Sequence, residues 1–207
     1  MRKIFPITVE KLMKKNKKIF CLLGDIGVFS FRNIFKKYKK RIYNMSTMEQ
    51  SMVGFSSGLS RAGFIPIIHT ITPFLVLRAL DQIKIDLVYN KLSCNIVSVG
   101  ASNDYPKLGT THHCFEDINI LSNYKDINLY IPSNAKEFNY LLNKNYNNKS
   151  VNYFRISEKN INYSGFDNRF LKKKNNKNLI IIVGNSIDSK IINLDNFDIY
   201  FISSITS

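Results

Sequence analysis

At 207 residues, with 44% hydrophobic residues and no apolar run long enough to cross a bilayer, the chain is sized for one globular domain and part of a second, and a membrane-spanning helix is excluded. The formal net charge of +15 is concentrated in residues 1–41, where thirteen Lys and Arg face two acids; solvated helix faces in a Lys/Asn/Ile-rich composition account for clusters such as Lys14–Lys18 and Lys36–Arg41. Without an RNA-binding or zinc-finger signature, a nucleic-acid partner is not expected, and three widely spaced cysteines with no secretory signal after Met1 fit a reduced, cytoplasmic chain rather than a disulfide framework.

Ile19–Leu23 is a short apolar run ending at Gly24-Asp25 and predicts a strand followed by a turn. Arg41–Asn44 reads as a second strand. From Ser46 the spacing of Met48, Met52, Phe55 and Leu59 predicts a helix, closed by Gly63. Ile65–His69 is the next strand, and a long helix is expected from Phe74 to Tyr89. Asn95–Gly100 is a strand running into Gly109-Thr110-Thr111-His112-His113-Cys114. Helix Glu116–Asn123, strand Asn128–Ile131, helix Ala135–Leu142 and strand Val151–Ile156 follow. This alternation predicts an α/β fold with a parallel sheet covered by helices on both faces. The polar segment 157–177 reads as a linker. After it, residues 178–207 open with the apolar strand Asn178–Gly184, and Phe197–Ile202 follows; together they read as the truncated start of a second α/β domain.

Loops at the carboxyl ends of parallel strands line the ligand crevice of such folds, so the polar residues there are the candidates for chemistry. Glu49 has two roles open to it. Ser46-Thr47-Met48-Glu49 matches a capping box, in which the carboxylate reaches back to the Ser46 amide. Alternatively, Met45, Met48 and Met52 surround it with apolar bulk, which favours a protonated acid able to hold a ring nitrogen. His112 and His113 are placed to bond a ligand or pass a proton, or simply to cap the next helix. Three consecutive residues cannot converge on one metal, so His112-His113-Cys114 is not a zinc site. Asp25 could face the crevice or cap a helix, Arg155 could hold an anion or lie on the surface, and Phe74 could stack on a flat ring or pack in the core. No Gly-rich phosphate loop and no nucleophile elbow occurs.

Gly24-Asp25-Ile26-Gly27, Met48-Glu49-Gln50, Met52-Val53-Gly54, Ser57-Gly58-Leu59, Gly63-Phe64-Ile65-Pro66, Arg78–Ile83 and Gly109–His113 with Glu116-Asp117 occur in that order. Over residues 1–156 this resembles the pyrimidine-binding domain of transketolase-like, thiamine-diphosphate-dependent enzymes, and is similar to the separate C-terminal subunit of split transketolases. The resemblance implies that Glu49 hydrogen-bonds the aminopyrimidine nitrogen and so activates the thiazolium carbon for attack on a ketose. It also implies that His112, with His113, contacts substrate hydroxyls, that Arg155 meets the substrate's phosphate, and that Phe74 and Asp25 belong to the cofactor site. Leu108 stands where many transketolases carry an acidic residue that reads a sugar hydroxyl.

The Gly-Asp-Gly motif with its downstream Asn is missing, so the resemblance implies that the cofactor is shared with an N-terminal, diphosphate-binding subunit that holds the Mg2+. Self-association is also expected. The alternatives are the β subunit of a 2-oxo acid dehydrogenase, a non-catalytic truncated paralogue and, more remotely, a basic nucleic-acid-binding module.

Overall fold

The computed structural model describes residues 1–157, 169–184 and 195–205. Strands β1 (Ile19–Leu23), β2 (Ile42–Asn44), β3 (Ile65–Ile71), β4 (Cys94–Val99), β5 (Ile127–Tyr130) and β6 (Val151–Ile156) are all parallel, in the spatial order β5-β6-β4-β3-β1-β2. The helices are α1 (Ile4–Lys15), α2 (Val28–Lys37), α3 (Glu49–Arg61), α4 (Thr72–Val76), α5 (Leu80–Gln82), α6 (Asp117–Leu121) and α7 (Ala135–Asn145). The expected parallel sheet is therefore present, with helices on both faces.

Strand side chains alternate between two cores, as a sheet buried on both faces requires. Ile19, Cys21, Leu23, Ile67, Val97, Val99, Phe154 and Ile156 pack with residues of α1, α2 and α7. Leu22, Ile68, Cys94, Ile96 and Tyr153 pack on the other side with Met52 and Val53 of α3 and with Leu75, Ile83 and Leu87. All three cysteines are free and buried, and burial pushes the Cys94 and Cys114 thiols up to about 12. Such thiols are poor nucleophiles. No helix among the described residues is long and apolar enough to cross a membrane.

The structure corrects several expectations. The capping box at Ser46 does not form: α3 begins only at Glu49, no side chain caps it, and Ser46 sits at φ +56° with its amide bonded to Asn44. The helix expected from Phe74 to Tyr89 breaks after Val76, resumes at Leu80 and continues as a π-helical turn over Ile83–Tyr89. Helices α1 and α2 were not expected; their last turns carry Lys14, Lys15, Lys36 and Lys37, where cations complement the helix dipole. Part of the basic N-terminal segment is structural, since the Arg41 guanidinium donates to the carbonyls of Met13, Asn16 and Ile19.

His69 on β3 ties the first core to pH. It is 2% exposed, its Nδ1–H donates to the Val97 carbonyl (2.7 Å), and Phe5 packs on its ring (4.6 Å between centroids). Burial, reinforced by the charge of Arg2, lowers its pKa from 6.5 to about 4 against the opposing Val97 bond. The unfolded chain binds this proton below about pH 6.5 and the native one only below about 4. Stability is therefore full above pH 6.5 and falls by about 3 kcal/mol on acidification to pH 4. Denaturant titrations from pH 7 to 4 should show that slope, and His69→Gln should flatten it.

Residues 169–205 add a second element of sheet. Strands β7 (Arg169–Lys172), β8 (Asn178–Val183) and β9 (Phe197–Ile202) form a mixed sheet in the order β7-β9-β8, with Ile182, Ile199 and Phe201 buried together. Strand β7 lies inside the segment 157–177 expected as linker; its backbone pairs antiparallel with β9 at the sheet edge, where short charged sequences are tolerated. The chain then returns to the first sheet, where β10 (Ser204–Ile205) pairs antiparallel with β5 and the Ile131 amide donates to the Ser203 carbonyl (2.7 Å).

Candidate active site

The crevice at the carboxyl ends of the parallel strands collects one polar residue from almost every loop. Asp25 follows β1, Glu49 follows β2, Phe74 follows β3, His112 follows β4, and Arg155 lies near the end of β6.

Glu49 faces inward at the first turn of α3 and is 0% exposed. Its neighbourhood is not the purely apolar one expected from the three methionines: Met48 is exposed and only Met52 is fully buried. Instead Oε2 accepts from Arg78 Nη1 at 2.7 Å. The Thr70 hydroxyl lies 3.4 Å from Oε1 and 3.2 Å from the Gly24 carbonyl, sharing one proton between two acceptors. A Cβ on Gly24 would come within 2.8 Å of Thr70, so only glycine lets the end of β1 approach this closely.

Phe74, half-buried on α4, links the carboxylate to the histidine loop. The Arg78 guanidinium lies over its ring at 4.5 Å, and the His112 ring meets it edge-on with centroids 5.1 Å apart. Tyr105 stands 6.4 Å from His112. His112 Nδ1 is 3.0 Å from the Thr111 hydroxyl, and Nε2 has no partner among the described residues. Neither histidine caps α6, which starts at Asp117 without a side-chain cap. His113 packs against Phe115, and its Nε2 is buried without a partner among the described residues.

The loop that carries His112 is fastened at its base. Ser102 and Cys114 form a bridge, and Gly100 takes φ +81° where a Cβ would collide with the Tyr105 ring. Arg155, 18% exposed in its side chain, donates from Nη2 to the Ser102 hydroxyl (2.7 Å) and from Nε to Asp117 Oδ2 (2.9 Å). Asp117 also accepts from the Tyr153 hydroxyl (2.7 Å), and Ser98 donates to the same tyrosine. Burial, together with the neighbouring carboxylate, holds the Tyr153 hydroxyl well above its usual range. Arg155 thus spends two of its donor nitrogens on the scaffold. Asp25 is exposed, at φ +59°, and its carboxylate and amide both bond the Asn44 side chain; it stands at the rim, capping nothing.

A profile of the family described as "Transketolase, pyrimidine binding domain" matches residues 1–164. The chain belongs to this family. One of the two apulose-4-phosphate transketolase subunits of Actinobacillus succinogenes is 29% identical over 126 residues, covering 61% of this chain and 40% of that protein. Its counterpart from Phocaeicola vulgatus is 30% identical, covering 66% and 44%. A solved structure described as a split gene transketolase, inactive β4 tetramer, superposes with a TM-score of 0.81 at 21% identity, over 99% of this chain and 70% of that one. At that identity the likeness speaks for the fold. This transketolase-family chain spans less than half the length of these curated relatives.

Two residues of the site carried no assigned role in the sequence. Arg78 lies four positions after Phe74, the spacing at which helical side chains meet, and a cation so placed after an aromatic was the available signal. Thr70 gave none, because only the strand register brings it under Glu49.

Proposed function

We propose that the chain is the pyrimidine-binding half of a two-subunit, transketolase-type enzyme that moves a two-carbon ketol unit between sugars or sugar phosphates with thiamine diphosphate. The observation that carries this is Glu49, a fully buried carboxylate at the carboxyl end of a parallel strand, with Phe74 and His112 in the same crevice. These residues fit the ring half of that cofactor: an acceptor for a ring nitrogen, an aromatic face and a histidine beside them. The diphosphate and Mg2+ are assigned to a partner subunit, consistent with the lack of a phosphate loop in this sequence. Relatives named as transketolase subunits favour this over a 2-oxo acid dehydrogenase β subunit. Self-association and a cytoplasmic location belong to the same proposal.

When bound, thiamine diphosphate supplies an electron sink for breaking a carbon–carbon bond beside a carbonyl. Glu49 holds the ring nitrogen and moves its proton, and Phe74 walls the ring, with Asp25 at the rim. His112 offers Nε2 to a substrate hydroxyl, with His113 behind it. Arg155, anchored through Nε and Nη2, has Nη1 left for the substrate's phosphate.

Calorimetric titration of thiamine diphosphate and Mg2+ tests the assignment. Binding is expected only when the chain is mixed with a diphosphate-binding partner, with turnover of a ketose phosphate and none of a 2-oxo acid. Absence of binding in the mixture would leave a non-catalytic paralogue. In the active mixture, His112→Ala should lower kcat/KM for the ketose about 10²-fold and leave the cofactor affinity unchanged. A change in cofactor affinity instead would place His112 on the ring.

A further inference from the structure

The Glu49 carboxylate has no accessible surface, yet the proposed function requires a ring nitrogen to reach it. Of the two groups that occupy it, Thr70 is locked in the buried strand β3. Arg78 is different: its side chain is 44% exposed and lies beyond the end of α4. Its guanidinium covers two features at once. It donates Nη1–H to Glu49 Oε2 at 2.7 Å and lies over the Phe74 ring at 4.5 Å. A guanidinium is a flat array of N–C–N atoms with donors at its edge and a delocalised face. An aminopyrimidine has the same flat N–C–N edge and the same kind of face.

We propose that Arg78 is an internal placeholder for the cofactor's ring: it occupies the carboxylate and the aromatic face in the unloaded subunit and is displaced when the ring arrives. The proposal rests on the assignment of Glu49 and Phe74 to the ring site. It explains how a buried carboxylate stays paired before assembly, since an unpartnered buried charge is strongly unfavourable. Displacement strands no charge, because the guanidinium already borders solvent. Arg78 is a positioning residue here, acting through Glu49.

The test is the dissociation constant of thiamine diphosphate, with saturating Mg2+, in the complex of the full chain with its diphosphate-binding partner. Arg78→Met removes the competitor and should tighten binding about tenfold, the equivalent of one charge-assisted hydrogen bond released. Arg78→Lys keeps a point charge without the flat face and should fall between Met and wild type. In a Glu49→Gln background the Arg78→Met effect should shrink below about twofold, because the ion pair is already gone. That background also keeps the test valid should the single Arg78→Met variant fold poorly, since the double variant contains no orphaned charge. Equal or weaker binding by Arg78→Met would overturn the placeholder role, and so would tightening of the same size in both backgrounds, which a purely structural residue would produce. A wild-type complex that binds no thiamine diphosphate would overturn the proposed function itself, and this inference with it.

Discussion

Replacing Glu49 with alanine should lower ketol transfer by the assembled enzyme about 10²–10⁴-fold, the range lost when a positioned acid–base group is removed. The subunit should still fold. Arg78 loses its partner but already reaches water, so the stability cost is about 1 kcal/mol, as for a pair with one exposed end. Thr70 keeps the Gly24 carbonyl as acceptor. Glu49→Gln separates shape from chemistry: it fills the same space and can still accept from Thr70, but it cannot move a proton. The two variants should therefore be equally inactive while their melting temperatures stay within a few degrees of wild type. Ketol transfer by Glu49→Gln at the wild-type rate would remove the carboxylate from the chemistry.

Asp117→Ala should cost about 3–5 kcal/mol of folding free energy, because it breaks a buried pair and leaves its partner charged. The carboxylate is 0% exposed and takes both the Arg155 Nε–H and the Tyr153 hydroxyl. Without it, a mostly buried guanidinium and a buried phenol both lose their acceptor. At the size of this chain the loss corresponds to a melting temperature lower by roughly 10 °C. Asp117→Leu combined with Arg155→Met should recover most of it, since two apolar side chains leave no stranded charge. The double variant still lacks the Arg155–Ser102 bond, so the loop bearing His112 is expected to stay loose and the KM for substrate to stay high although stability returns. Thermal melts with steady-state kinetics check both parts; recovery of stability and KM together would show that Arg155 does not anchor the loop.

The sheet was legible in the sequence because its strands are short apolar runs with turn residues at their ends, and β1, β3, β4 and β6 fall within about a residue of their expected places. Helix α1 was not, although Phe5, Val9, Leu12 and Met13 have helical spacing and are buried, because Pro6 and the surrounding lysines mask that pattern. Proline in the first turn of a helix is well tolerated. Helix α2 buries only Phe31 and Ile34, too few for a periodic signal.

At the site, Glu49, Phe74 and His112 were legible as residues but their partners were not. The capping box at Ser46–Glu49 is a local pattern, and it lost to Arg78 and Thr70, which lie 29 and 21 residues further along the chain. Arg155 offered the same difficulty, because its partners Ser102 and Asp117 are 53 and 38 residues away. Such pairings are consequences of strand order, which a linear pattern does not contain.

Strand β10 has a mechanical consequence. Two residues after β9 leaves the small sheet, Ser204 and Ile205 are hydrogen-bonded along β5, and Gly184 at the end of β8 donates its amide to Ile202 while packing on Ile131 just beyond β5. The small sheet is therefore clasped to the large one at a second point and cannot swing like a bead on a string. Any reorientation must first unzip β10, and that would bare the backbone edge of β5, a surface onto which other strands can add.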